Sequence, residues 1–189
     1  MATFTVNTAI PSGDAIGTAW MTNFNNGINF MGGAAGTAIS KDLFFATQAT
    51  AQQLSAGTFE AMLWQTEDID AASGHSTTTN PGRYTSQAVG TATFELSGAI
   101  AIAGTSTLAG TQTFEIAWYK NGSAIATDAI ALAIYTGGAT NGQTLNAPTY
   151  QVKLVANDYV QLFVKAPVTC VTDVTGQVSV CGVELVARA

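Results

Sequence analysis

The chain is predicted to fold as an all-β sandwich preceded by a short arm. Three features of its 189 residues carry that prediction. Short apolar runs recur from residue 43 onward, Gly, Asn, Pro and Thr separate them, and no long helical pattern occurs beyond residue 42. The expected strands are 43–49, 58–65, 83–88, 92–102, 113–119, 129–135, 149–155, 159–164, 168–172 and 177–186, and the longest gap, 68–81, reads as a loop. Within Tyr119-Lys120-Asn121-Gly122-Ser123 the Asn-Gly step signals a tight hairpin, because both residues tolerate the positive φ angles of primed turns. A second strand-and-turn unit runs from Leu154 through Asn157-Asp158 to Leu162.

Residues 1–42 differ in character and form the first of two segments, the second being 43–189. Thr3 to Ile10 can extend as a strand, and Pro11-Ser12-Gly13 breaks it. Asp14 then suits the N-cap of a short helix whose apolar stripe is Ile16, Trp20, Phe24, Ile28 and Met31. Gly17 and Gly27 each weaken such a helix by about 1 kcal/mol relative to Ala. A helix this marginal must dock its stripe on something, and the small-residue run from Gly32 to Ser40 separates it from the sandwich domain. These five side chains are therefore the expected partner-anchoring residues.

Composition narrows the function classes. With 10% charged and 47% hydrophobic residues, little ionic surface is available to cover a monomer. A net charge of −6 and six scattered basic residues argue against nucleic acid, whose binding rests on cations that neutralise phosphates. Met1 to Val6 has neither the basic nor the apolar region of a secretory signal, and no run approaches the roughly 18 apolar residues of a membrane helix. The reading is synthesis in a cytoplasm with no membrane partner. Cys170 and Cys181 flank a potential two-residue turn at Thr175-Gly176 and would face each other across a hairpin; two reduced, buried thiols are expected rather than a bridge.

The order of motifs resembles the globular-complement and tumour-necrosis-factor-like jelly-roll superfamily, in the form common in bacteria and their phages. The matching residues are Phe45-Ala46-Thr47-Gln48 through Thr58, then Leu63-Trp64-Gln65-Thr66-Glu67-Asp68-Ile69-Asp70, then Arg83-Tyr84-Thr85 and Gly90 to Phe94. Tyr119 to Ser123, Leu154 to Val160 and Val180 to Leu185 complete the series. The resemblance covers about residues 45–186 and implies an antiparallel jelly-roll sandwich that forms a homotrimer. The residues offer a separate reason for self-association. In 159–166, Val160, Leu162 and Val164 supply one apolar face, while Tyr159 and Phe163 lie on the other beside Gln161 and Lys165. Phe114, Ile116 and Trp118 likewise point inward with Tyr119 outward, so Tyr119, Tyr159 and Phe163 are the expected trimer-interface residues.

Catalytic chemistry finds little support. His75 is the only histidine, and its place in the longest loop reads as solvated rather than as a base. No metal or cofactor is expected: one His and two distant Cys do not make a zinc set, and Glu67, Asp68 and Asp70 read as a solvated strand end in preference to a calcium site. Glu60 and Glu95 could imitate a glycosidase pair only if the fold brought them together. The expectation is a non-enzymatic virion protein: a trimeric cement or decoration protein on the outer surface of a phage capsid, partnered with the major capsid protein. The run around Gly17-Thr18-Ala19-Trp20 and Ile28-Asn29-Phe30 resembles the openings of phage structural proteins. The alternative is the receptor-binding tip of a tail fibre or adhesin, recognising glycan or protein through loops such as 70–81.

Overall fold

The computed structural model describes residues 43–104, 108, 111–125, 130–136 and 142–188. The anchoring stripe Ile16, Trp20, Phe24, Ile28 and Met31 lies outside the described residues, as do the strand and helix expected in the arm.

Fourteen strands and no α-helix are found among the described residues, arranged as an antiparallel jelly-roll sandwich. The first sheet centres on β6 (Ala92–Ile102) and β14 (Val180–Arg188), with β1 (Leu43–Thr47) beyond β14 and β4 (Thr66–Asp70) at the edge. On the far side of β6 lie β10 (Gln143–Asn146) and β11 (Tyr150–Leu154), one after the other along its length. The second sheet centres on β12 (Tyr159–Lys165) and β7 (Gln112–Lys120). There β12 also pairs with β3 (Phe59–Ala61) and β5 (Tyr84–Thr85), and β7 with β8 (Ser123–Ala124) and β9 (Ile130–Tyr135). A small ladder joins β2 (Gln53–Leu54) to β13 (Cys170–Val171).

Alternation decides which side chains fill the space between the sheets. Val160, Leu162 and Val164 of β12 and Phe114, Ile116 and Trp118 of β7 are buried, as their period-two spacing predicts. Phe44, Phe94, Leu96, Val183 and Leu185 meet them from the first sheet. Trp118 also donates its indole N–H to the Pro148 carbonyl at 2.8 Å, which satisfies the polar edge of a buried ring. Gly98 has a packing reason: a Cβ there would sit 3.0 Å from the Val180 carbonyl oxygen and 3.1 Å from Leu162 Cδ2.

The turns behave as their residues dictate. Asn121 and Gly122 have φ of 51° and 81°, the two positive angles of a primed two-residue hairpin between β7 and β8. This hairpin is tied to the start of β12. Asn121 N–H donates to the Tyr159 carbonyl at 3.0 Å, Tyr159 N–H to Asn121 Oδ1 at 2.9 Å, and Asn121 Nδ2 to Asp158 Oδ1 at 2.7 Å. Lys120 Nζ lies 2.8 Å from Asp158 Oδ2. Burial works against the charge on Asp158, but the Lys120, Val155 and Asn121 hydrogen bonds outweigh it and bring the carboxyl down from 3.8 to about 2.

Strand 92–102 matches its predicted limits, whereas three expectations change. The loop expected from residue 68 begins only after Asp70, because Thr66–Asp70, whose acids read as a solvated strand end, is an exposed edge strand on β1, with a register irregularity between Phe45 and Ala46. Its polar residues hide a strand from propensity rules, and charge on an edge also discourages pairing with further chains. The run 58–65 keeps only Phe59–Ala61 as strand. The cysteines do not face each other: Cys170 pairs with Leu54, while Cys181 pairs with Ala46 and Gly98 in the first sheet. The segment between them is not a two-residue hairpin: Asp173 Oδ1 accepts the N–H groups of Thr175 at 2.9 Å and Gly176 at 3.2 Å and builds a local turn there. Both thiols are free and buried, at 2% and 3% exposure, as the reduced reading expects. Burial raises the Cys170 thiol to about 11, with Glu60 adding to the effect, and burial alone raises Cys181 further.

Two measurements check this arrangement. A colorimetric thiol reagent should label neither cysteine in the folded protein and both in denaturant; fast labelling of Cys181 without unfolding would contradict its burial. Asp158→Asn should lower stability in urea titrations at neutral pH. Because the folded carboxyl titrates below its ordinary 3.8, the stabilisation is complete above about pH 4 and fades as pH falls toward 2. The variant and the parent should therefore converge in stability over that window.

Candidate functional site

The richest polar architecture in the described chain is the segment from Asp70 to Gln87, which leaves β4, loops, and enters β5. Asp70 sets it up: Oδ1 accepts Gly74 N–H at 3.0 Å and Oδ2 accepts His75 N–H at 2.9 Å. Gly74 carries no side chain because a Cβ would lie 2.5 Å from both the Thr85 carbonyl oxygen and Tyr84 Cε2. Ser73 and Asn80 hold φ of 56° and 55°, left-handed conformations at the two ends of the loop. Thr85 N–H donates to the Gly74 carbonyl at 2.7 Å and Arg83 N–H to the Asn80 carbonyl at 3.0 Å, so the loop is stitched to itself and to β5.

His75 overturns the expectation of a solvated loop histidine: its side chain is 0% exposed. The ring lies 4.9 Å from that of Phe44, Nε2 is 2.8 Å from the Pro81 carbonyl and Nδ1 is 2.7 Å from Glu67 Oε1. A carbonyl only accepts, so Nε2 carries the proton that Pro81 receives. With both nitrogens engaged, His75 is a cross-brace between β4 and the end of the loop. Of the acidic trio, Glu67 and Asp70 thus serve the loop. No group of three or more potential metal ligands occurs among the described residues.

Beside this brace opens a pocket of about 290 Å³, whose lining includes Ser73, Ser76, Thr79, Asn80, Arg83 and Gln87. Arg83 continues the alternation of β5: Tyr84 turns into the core, while Arg83 shares the outward face with Thr85 and Tyr159, which pair across β5 and β12. The guanidinium carbon sits 3.7 Å from the centroid of the Tyr159 ring. Lys120 and Lys165 have carboxylate partners at 2.8 Å and 2.6 Å, whereas Arg83 has none among the described residues. Its Nε is buried and has no hydrogen-bond acceptor among the described residues, a situation that costs about 1–3 kcal/mol.

The three expected interface residues divide between two places on the outer face of the second sheet. Tyr119 and Phe163 come together with ring centroids 4.1 Å apart, and Phe59 joins them at 6.0 Å from Tyr119. All three are half-buried, and Ala117, opposite Phe163 in register, is fully buried although it too points outward. The Lys165–Glu115 pair borders this cluster. Tyr159 stands apart from it as the platform under Arg83. The first sheet has its own outward apolar pair, Phe45 at 36% and Ile69 at 43% exposure, opposite each other in register. Neither is among the expected interface residues; the one signal in the sequence is Phe45 next to core-facing Phe44, one step out of phase. Glu60 and Glu95 lie on different sheets, bonded to Ser55 N–H at 2.6 Å and to Gln151 Nε2 at 3.3 Å, and form no catalytic pair.

This sheet order has counterparts among solved structures. The globular domain of zebrafish complement 1qA protein aligns with a TM-score of 0.50 and 11% identity, covering 79% of this chain and all of that one (100%). The fold is that of the complement 1q and tumour-necrosis-factor-like jelly rolls. Murine APRIL matches with a TM-score of 0.50 and 10% identity over 76% of this chain and 98% of its own. Eiger TNF from S. frugiperda does so with 0.50 and 13% identity over 78% and 92%. At such identities the likeness is one of fold. No protein-family model matches the chain, and no curated protein sequence matches it.

The loop geometry predicts that Asp70→Ala, which removes the acceptor of two backbone N–H groups, lowers stability by about 1.5–3 kcal/mol. Amide hydrogen exchange should accelerate at Gly74 and His75 and stay unchanged in β7 and β12. Uniform acceleration across the domain would show instead that the loop is not a separate unit.

Proposed function

We propose that this chain is a non-enzymatic virion protein, a homotrimeric cement or decoration protein on the outer surface of a bacteriophage capsid that ties neighbouring coat subunits together. The observation that carries the assembly part is the cluster of Phe59, Tyr119 and Phe163 on the outside of a sheet whose inside already fills the core. A sheet face with three aromatics and one bordering ion pair is suited to a partner surface, and a chain with 10% charged residues has little else with which to solvate itself. The capsid part is supported by the resemblance of residues 17–30 to the openings of phage structural proteins.

The non-enzymatic part is supported by what the candidate groups do in the fold. His75 is enclosed and engaged at both ring nitrogens, and Glu60 and Glu95 lie on separate sheets. Adhesion would come from buried apolar area, at roughly 25 cal/mol per Å², rather than from charge. It would accordingly depend little on salt.

Mass in solution is the first check. A trimer is expected, dissociated or weakened by the double change Tyr119→Ser and Phe163→Ser, and a monomeric parent would remove the reading. The second check is binding to expanded, undecorated capsids, expected to be stoichiometric and lost on Trp20→Ala with Phe24→Ala. Binding to whole cells but not to capsids would overturn the cement assignment.

A further inference from the structure

We propose that the pocket beneath the 71–82 loop is a binding site for an acidic sugar, a pyranose bearing a carboxylate, with Arg83 as the carboxylate anchor. This goes beyond the assembly role and does not depend on it, because the pocket is formed within one copy of the chain.

The guanidinium is the first reason. It lines the pocket, and no carboxylate among the described residues pairs with it; its Nε is buried, so the terminal N–H groups are the ones a ligand in the pocket can reach. A half-buried arginine with no carboxylate partner among the described residues is poised for one from outside, since its planar fork fits two carboxylate oxygens. Tyr159 strengthens the case, since its ring centroid lies 3.7 Å from the guanidinium carbon, a cation–π contact that holds the group in place before a ligand arrives. Preorganisation of that kind lowers the entropy that binding must overcome.

The rest of the lining selects the remainder of the ligand. Ser73, Ser76, Thr79, Asn80, Thr85 and Gln87 are neutral hydroxyls and amides, suited to hydroxyl groups; Gly74 and His75 complete the lining, with both imidazole nitrogens already engaged by Glu67 and Pro81, and no Asp or Glu among the described residues lines the pocket. In a chain of net charge −6 this is a local departure toward positive potential. Arg83 is the one guanidinium or ammonium group in the lining, His75 being committed to Glu67 and Pro81, and one such group matches a monoanion; a phosphate, with a charge of about −1.5 to −2 near neutral pH, would leave excess charge without a partner. The pocket volume of about 290 Å³ is at the small end of ligand sites, the scale of one sugar ring. The walls are built in advance, by the two Asp70 bonds and by His75 braced between Glu67 and Pro81.

The test uses the full chain, labelled with ¹⁵N and titrated separately with methyl glucuronide, methyl glucoside, acetate and inorganic phosphate. Saturable shifts of the Gly74, Ser76 and Thr85 amides with glucuronide are expected in the millimolar range, with the glucoside and acetate weaker by about tenfold or more. Arg83→Gln should weaken glucuronide by at least about tenfold, whereas Lys153→Gln, a cation on β11 outside the pocket, should leave it unchanged. Arg83→Lys keeps the charge but not the fork, so it serves if the first variant folds poorly, and a loss of several fold is expected. Equal binding of glucoside and glucuronide, tighter binding of phosphate, no saturable shift, or an Arg83→Lys variant that binds like the parent would each overturn the proposal. The capsid experiment addresses different residues, so failure of one reading is distinguishable from failure of the other.

Discussion

The register between β12 and β7 is the constraint on which the rest of this structure depends. Leu162 stands opposite Trp118 and Phe163 opposite Ala117, so one step along the strand separates the core from the outer face. A slip of a single residue would send Val160, Leu162 and Val164 outward and Tyr159, Gln161, Phe163 and Lys165 into the interior. Both the aromatic cluster and the platform under Arg83 would vanish together. The register is held at one end by the Asn121 and Asp158 bonds and at the other by the Lys165–Glu115 pair at 2.6 Å. A polar clamp at the turn thus protects an apolar arrangement that could not by itself distinguish neighbouring registers as sharply.

A second consequence of the same sheet is that β12 has different partners at its two ends. Near Tyr159 it pairs with the short β5, and near Lys165 with the short β3. The chain between β3 and β5 has room to run out to the edge strand β4 and return through the braced loop. The loop is ordered by polar contacts rather than by burial of apolar surface, which suits a recognition element: its amide, hydroxyl and guanidinium groups remain at a pocket while backbone donors are already satisfied. His75 shows how this is achieved. An enclosed imidazole costs desolvation, and a carbonyl and a carboxylate within 2.8 Å offset it while a tilted ring contact with Phe44 anchors it to the core.

The two sheets also expose different outward surfaces. The second presents Phe59, Tyr119 and Phe163 with a single bordering ion pair. The first presents Phe45 and Ile69 in register, but the neighbouring strands place Glu184 directly opposite Glu95, a like-charge pairing that destabilises an uncovered sheet. Gly182, between them, lets Ser97 and Phe45 approach: a Cβ there would sit 2.8 Å from Ser97 Oγ and 3.8 Å from Phe45 Cδ2. The surface of this domain is therefore uneven in chemistry, with apolar rings on both broad faces and the polar pocket at a rim.

Local physics made much of the fold legible in the sequence. Alternation identified the inward faces of β7 and β12, and Asn121-Gly122 announced a turn whose two φ angles are positive, because these signals arise from side-chain period and backbone sterics within a few residues. Tertiary structure alone decided the remainder. Thr66–Asp70 is a strand only because β1 lies beside it, and Cys170 and Cys181 lie apart because each pairs in a different ladder, Cys170 with Leu54 and Cys181 with Ala46 and Gly98. His75 is enclosed because Glu67, eight residues before it, Pro81, six after, and Phe44, from another strand, converge on one ring. Arg83 reads in the sequence as part of a strand motif; its unmatched guanidinium and its pocket exist only once Tyr159 is brought beneath it, a proximity set by hydrogen bonding between strands that no local pattern encodes.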